Sequence, residues 1–140
     1  MHIAFRTKER YPFISGQIEP QLHSYMGGIL KNKESPVLKI NSVPDHVHIL
    51  FRLSKNHALA KVVEVVKKES SKWLKTKGVI GFTWQIGYGA FSVSSSKVGS
   101  VIKYISNQKQ HHKTKTYKEE VEEFIREYDI IEYDEKYFWN

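Results

Sequence analysis

An α+β domain with a ferredoxin-like, split βαβ antiparallel sheet is the fold class that this sequence predicts. Three observations lead there. Strand-like and helix-like segments follow one another in the order β-α-β-β-α-β. A Pro44-Asp45 turn joins two of the strand segments directly, as in a hairpin. Two further helical segments follow the last strand. A chain of 140 residues, 40% apolar and 13% aromatic, can bury one core, so residues 1–140 are read as a single domain.

The first strand is His2-Ile3-Ala4-Phe5-Arg6, followed by the basic residues Lys8 and Arg10. A helix is expected from about Gln17 to Lys31, because Ile18, Leu22, Tyr25, Met26, Ile29 and Leu30 recur at helical spacing. Ser15 is its candidate N-cap, and Gly27-Gly28 weakens its late turns. Val37-Leu38-Lys39-Ile40 forms the second strand. The third runs from His46 to Leu53 and alternates with period two: Val47, Ile49, Phe51 and Leu53 on one face, His46, His48, Leu50 and Arg52 on the other.

The clearest helix spans about Ala58 to Lys75, with Leu59, Val62, Val63, Val66 and Trp73 inward. Its lysines, Lys67 among them, read as a solvated basic face. After Gly78 and Gly81, Trp84-Gln85-Ile86-Gly87-Tyr88-Gly89 suggests a bulge or a close backbone approach, and Tyr88 to Val93 a further strand. Serines 94 to 96 offer caps for a helix over about Lys97 to His112, striped by Val98, Val101, Ile102 and Ile105. Thr116-Tyr117-Lys118-Glu119 has the form of a capping box and opens a last helix with Val121, Phe124, Ile125 and Tyr128 inward. The tail, Ile130 to Asn140, is apolar enough to pack on the domain or on a second subunit.

Composition narrows the function classes. There are 22 Lys+Arg against 15 Asp+Glu, a net charge of +7, which favours a polyanionic partner, nucleic acid first. The absence of cysteine excludes disulfides, thiolate metal sites and cysteine catalysis. No apolar run approaches a membrane span and no secretory h-region opens the chain, so a soluble, intracellular protein without a membrane partner is expected.

Two places carry chemistry. His46 and His48 lie side by side on one strand face, where neutral imidazoles could hold a divalent metal if a third ligand arrives. The alternative is a half-exposed strand whose histidines merely tolerate the position. Tyr104 and Gln108, four apart, stack on the flank of the later helix with His111 on the same side. Here the alternative is a boundary aromatic with its hydroxyl in water. Histidine and glutamine together can bind Mg²⁺ or Mn²⁺, weakly until phosphate oxygens complete the site. A tyrosine beside such a metal suits phosphodiester chemistry, provided the site helps remove a proton of pKa about 10.

At these residues the sequence resembles the single-tyrosine HUH (His-hydrophobic-His) transposases of small bacterial and archaeal insertion sequences, which include the REP-associated tyrosine transposases. The resemblance spans nearly the whole chain: Ile3 to Lys8, Val43-Pro44-Asp45-His46-Val47-His48, Trp84 with Gly87-Tyr88-Gly89-Ala90-Phe91-Ser92, and Tyr104-Ile105 with Asn107-Gln108 and His111-His112. It implies an HUH endonuclease fold, with His46, His48 and Gln108 as ligands of Mg²⁺ or Mn²⁺ and Tyr104 as nucleophile. It implies cleavage and rejoining of single-stranded DNA through a 5′-phosphotyrosine link, recognition of hairpins near the element ends, and a cytoplasmic, nucleoid-associated setting in a prokaryote. It further implies a homodimer with composite active sites, the tyrosine helix serving the partner's HUH strand. Candidate DNA contacts are Arg6, Lys8, Arg10, Arg52, Lys103 and His111. Relatives carry a short segment before the first strand, so an N-terminus trimmed relative to theirs is expected here.

Two other readings stay open. A non-catalytic or domesticated single-strand-binding protein on the same fold would bind without metal and be indifferent to His46→Ala. A rolling-circle initiator or relaxase would use the same chemistry in a generally longer chain with a different tyrosine arrangement.

Overall fold

A computed structural model describes residues 1–110 and 116–127. Its strands are β1 (His2–Arg6), β2 (Val37–Val43), β3 (His46–Phe51) and β4 (Gly89–Phe91). Its helices are α1 (Glu19–Asn32), α2 (Leu59–Thr76), α3 (Val98–Ser106) and α4 (Tyr117–Glu127). The strands form one four-stranded sheet in the order β2-β3-β1-β4 with every neighbouring pair antiparallel. This is the expected split βαβ topology.

The alternation of the central strands sorts side chains into two layers. Ile3 and Phe5 of β1 and Val47, Ile49 and Phe51 of β3 face Leu22, Met26 and Leu30 of α1 and Val62, Val63, Val66 and Leu74 of α2. These side chains are essentially fully buried, and each contributes on the order of 1.5–3 kcal/mol by leaving water. Trp84 closes the end of this core, edge-on to Phe5 at 4.7 Å, and donates from Nε1 to Ser70 Oγ at 3.1 Å.

The opposite sheet face is also covered. Ala4, Leu50 and Phe91 pack against Val101, Tyr104 and Ile105 of α3 and Val121 of α4. All six residues of β3 are therefore buried, so the alternative of a half-exposed strand does not hold, and the histidine face lies between the sheet and two helices. The apolar stripe of α3 needs a surface to bury, and Leu50, Ala4 and Phe91 supply it on the same face as the histidines.

Several boundaries differ from expectation. α1 begins at Glu19, with Pro20 in its first turn; Ser15 Oγ instead accepts from the Ile18 N–H in the turn before it, at 3.3 Å. β2 extends through Ser42 and Val43, paired with Val47 and His46. β4 is only Gly89–Phe91. Gly87 has φ 95°, a conformation natural to glycine, which turns the chain from its pairing beside β1 into β4. The serines before α3 form a 3₁₀ turn and make no side-chain cap. α3 ends at Ser106, with a turn at Asn107 before 108–110 resume helical geometry. The capping box forms as expected: the Glu119 N–H donates to Thr116 Oγ1 at 3.2 Å and the Thr116 N–H to Glu119 Oε1 at 3.4 Å. Lys67 departs from the solvated reading of its helix. Its Nζ donates to the carbonyls of Gln85 (2.7 Å) and Gly87 (2.8 Å), tying α2 to the segment before β4. His111, the 130–140 tail and the inward side chains expected at Phe124, Ile125 and Tyr128 lie outside the described residues. Among the described residues no helix is long and apolar enough to cross a membrane.

Candidate metal and tyrosine centre

Strand pairing sets the neighbours of the two histidines. Across β1, Arg6 is opposite His46 and Ala4 opposite His48; across β2, Val43 is opposite His46 and Asn41 opposite His48. The two imidazole rings are 5.5 Å apart between centroids and nearly perpendicular, and both are buried.

Each ring is held from behind. His46 Nδ1 lies 2.7 Å from Asp45 Oδ1, a carboxylate placed by the turn that starts the strand. His48 Nδ1 lies 2.9 Å from Nε2 of His2, the first residue of β1. Burial, with the neighbouring N-terminal charge, pushes His2 down to about 3, so it is a neutral imidazole at ordinary pH. Burial opposes a charge on His46 as well, but hydrogen bonds and charges from Asp45 and Glu120 outweigh it and raise this imidazole above its ordinary value.

α3 carries Tyr104 onto the same site. Its ring meets His48 edge-on at 6.1 Å. It is buried to 8% exposure, and its Oη donates to the backbone carbonyl of Glu120 at 3.2 Å. The hydroxyl therefore points inward and not into water. The end of α3 is fixed by Asn41 of β2, whose Nδ2 donates to the carbonyl of Ile105 at 2.9 Å. Gln108, just beyond the turn at Asn107, is fully buried, and among the described residues neither its Oε1 nor its Nε2 has a hydrogen-bond partner. An unpaired buried amide is costly, about 1–3 kcal/mol.

The residue that the sequence reading missed is Glu120. It is fully buried on α4 with Oε2 3.0 Å from His46 Nε2, and its Oε1 has no hydrogen-bond partner among the described residues. Ligand atoms of His46, His48 and Glu120 lie within 4.8 Å of one another. Two imidazoles and a carboxylate are a donor set that suits a divalent cation. A signal was available: Glu120 interrupts the apolar side of α4, beside Val121 and four before Phe124.

The basic candidates separate. Arg6 is buried in the sheet opposite His46. Lys8 and Arg10 are exposed on a 3₁₀ turn in which Glu9 and Arg10 take positive φ, 55° and 60°. Arg52 and Lys103 are exposed at the end of β3 and on α3.

The model of the IS200-like transposase family matches residues 1–108. The ISDra2 transposase TnpA of Deinococcus radiodurans is 25% identical over 114 residues, covering 76% of this chain and 81% of the relative. A crystal structure of a transposase from Deinococcus radiodurans R1 superposes with TM-score 0.61 at 21% identity, covering 76% of this chain and 88% of that one. A REP-associated tyrosine transposase bound to a REP hairpin superposes with TM-score 0.61 at 13% identity, covering 79% and 66%. At such identities the two structures establish the shared fold.

Proposed function

The chain belongs to the IS200-like transposase family, and from that premise we propose that it cleaves and rejoins single-stranded DNA at the ends of a mobile element, with Tyr104 as nucleophile and His46, His48 and Gln108 as ligands of Mg²⁺ or Mn²⁺. The observation that carries this reading is the meeting of Tyr104 with His48 on a buried face shared with His46. The sequence alone placed these residues some sixty positions apart.

A bound divalent cation would polarise the scissile phosphate and offset charge in the transition state. The rest belongs to the chain. With Nδ1 engaged by His2, His48 would offer Nε2; with Nδ1 engaged by Asp45, so would His46. Tyr104 Oη attacks phosphorus and forms a 5′-phosphotyrosine bond as the P–O3′ bond breaks, and the proton lost by the phenol is balanced by the one the departing 3′-oxygen takes up to become a 3′-hydroxyl. The reverse attack by a 3′-hydroxyl restores the phosphodiester and the phenol. The bond conserves the energy of the cut, so joining requires no nucleotide cofactor. Lys8, Arg10, Arg52 and Lys103 would contact phosphates from the exposed surface. A hairpin is the natural substrate feature to test, since a relative of this fold is bound to a REP hairpin.

Homodimerisation is part of the proposal. The resemblance implies composite sites, whereas the packing of Tyr104 on its own His48 favours a site built within one chain. The test is nicking of a hairpin-bearing single strand with Mg²⁺ or Mn²⁺, resolved on a denaturing gel. A metal-dependent covalent protein–DNA adduct is expected; an adduct formed by Tyr104→Phe would refute the nucleophile. Metal-independent binding, without cleavage and indifferent to His46→Ala, would support the non-catalytic alternative.

A further inference from the structure

We infer that Glu120 is itself a ligand of the divalent cation, so that filling the site clamps α4 onto the sheet beside Tyr104. The inference rests on the reading that His46 and His48 hold such a cation.

Three observations support it. The first is distance: Glu120 Oε2 is 3.0 Å from His46 Nε2. Two adjacent ligands of an octahedral ion with bonds of about 2.1 Å are separated by about 3 Å, so these atoms already span one edge of such a polyhedron. The second is chemistry. Two imidazoles and an amide bring no charge, while a carboxylate brings the hard anionic oxygen that Mg²⁺ and Mn²⁺ prefer. Glu120 is fully buried, and its second oxygen has no hydrogen-bond partner among the described residues, which leaves that oxygen able to bind the ion or orient a water on it. The third is connection. The carbonyl of Glu120 accepts from Tyr104 Oη at 3.2 Å, and the adjacent Val121 packs in the same cluster as Tyr104 and Leu50. An ion held by the Glu120 side chain therefore fixes the peptide group that orients the tyrosine hydroxyl.

Capping geometry supplies the rigidity. The Thr116–Glu119 box starts α4 one turn before Glu120, so the carboxylate projects from an ordered first turn. Docking of α4 then depends on the charge state of the metal site, and metal loading on the position of α4.

The test uses Mn²⁺ alone, titrated into the full chain by calorimetry at fixed pH, with hydrogen exchange measured across α4. The wild type should bind and His46→Ala should not. Glu120→Gln, which keeps the shape and removes the charge, should bind about 10- to 100-fold more weakly, and Glu120→Asp should fall between. Mn²⁺ should slow exchange of the α4 amides in the wild type and not in Glu120→Gln. Wild-type binding with undiminished or tighter binding by Glu120→Gln overturns this inference alone, the tighter case marking Glu120 as a competitor of the ion. No binding by the wild type overturns the metal-site reading and this inference with it. Where Glu120→Gln fails to fold by circular dichroism, wild-type exchange decides: an α4 that Mn²⁺ leaves unprotected overturns the clamp.

Discussion

His2 Nε2 and His48 Nδ1 lie 2.9 Å apart across the β1–β3 ladder. If His48 donates its Nδ1 proton to a neutral His2, its Nε2 lone pair is the one directed at the site. His2→Phe keeps the bulk against Phe91, 5.7 Å away, but removes the acceptor. Mn²⁺ affinity is expected to fall about 10- to 100-fold with the fold retained, and His2→Gln should recover part of the loss. Calorimetry would refute the positioning role if His2→Phe bound Mn²⁺ as tightly as the wild type.

Tyr104→Phe separates chemistry from structure. The variant should form no covalent adduct, while loss of the bond from Oη to the Glu120 carbonyl should cost about 0.5–1.5 kcal/mol of stability. Urea denaturation beside the gel assay checks both. A collapse of stability would mean that the hydroxyl serves mainly to hold α4.

Asn41 joins β2 to the end of α3, through Ile105 at 2.9 Å, and to Lys109 Nζ at 2.9 Å through its Oδ1. Asn41→Ala should cost about 1–3 kcal/mol and lower the nicking rate, because the turn of α3 that carries Tyr104 loses its anchor. Unchanged urea midpoint and unchanged rate would place the anchoring elsewhere.

Mixing tests how the site is built. Tyr104→Phe chains mixed with His46→Ala chains should stay inactive if each Tyr104 serves its own His48, as their 6.1 Å contact suggests. Recovered cleavage would show sites shared between two copies.

Lys67 gives a pH signature away from the site. Burial lowers its pKa from 10.5 to about 8. Below about 8 both folded and unfolded chains carry the charge, and its burial cost is fully present. Between about 8 and 10.5 the folded chain sheds the proton while the unfolded chain keeps it, so this group's contribution to stability rises with pH. Relative to Lys67→Met, the wild type should therefore gain stability across that window. Urea midpoints on either side of it decide the matter, and a difference that stays flat or shrinks would be contrary.

Much of this was legible in the residues. The period of two in β3 and the helical stripe of α2 fixed those elements to within a residue or two, because each has one apolar face to bury. What the pattern could not say is what covers the other face. His46 and His48 are polar, so their side of the strand read as partly wet; only packing brings α3 and α4 over it. The break at Asn107 was hidden because Gln108 remains at helical spacing from Tyr104. Lys67 looked like its neighbours on α2 until the carbonyls of Gln85 and Gly87 came within reach. Glu120 looked like one more acid in an acidic helix, since a charge at the margin of a stripe is usually solvated.

The position of β1 has a consequence for biosynthesis. This strand leaves the ribosome before its partners, yet it sits inside the sheet between β3 and β4. Its two edges stay unpaired until 46–51, and later 89–91, have been made, a delay on the order of seconds at ordinary translation rates. A nascent chain in that interval exposes Ile3 and Phe5 to any other open strand. Arg6, Lys8 and Arg10 directly after them are placed as gatekeepers, whose charge discourages pairing between chains on one message.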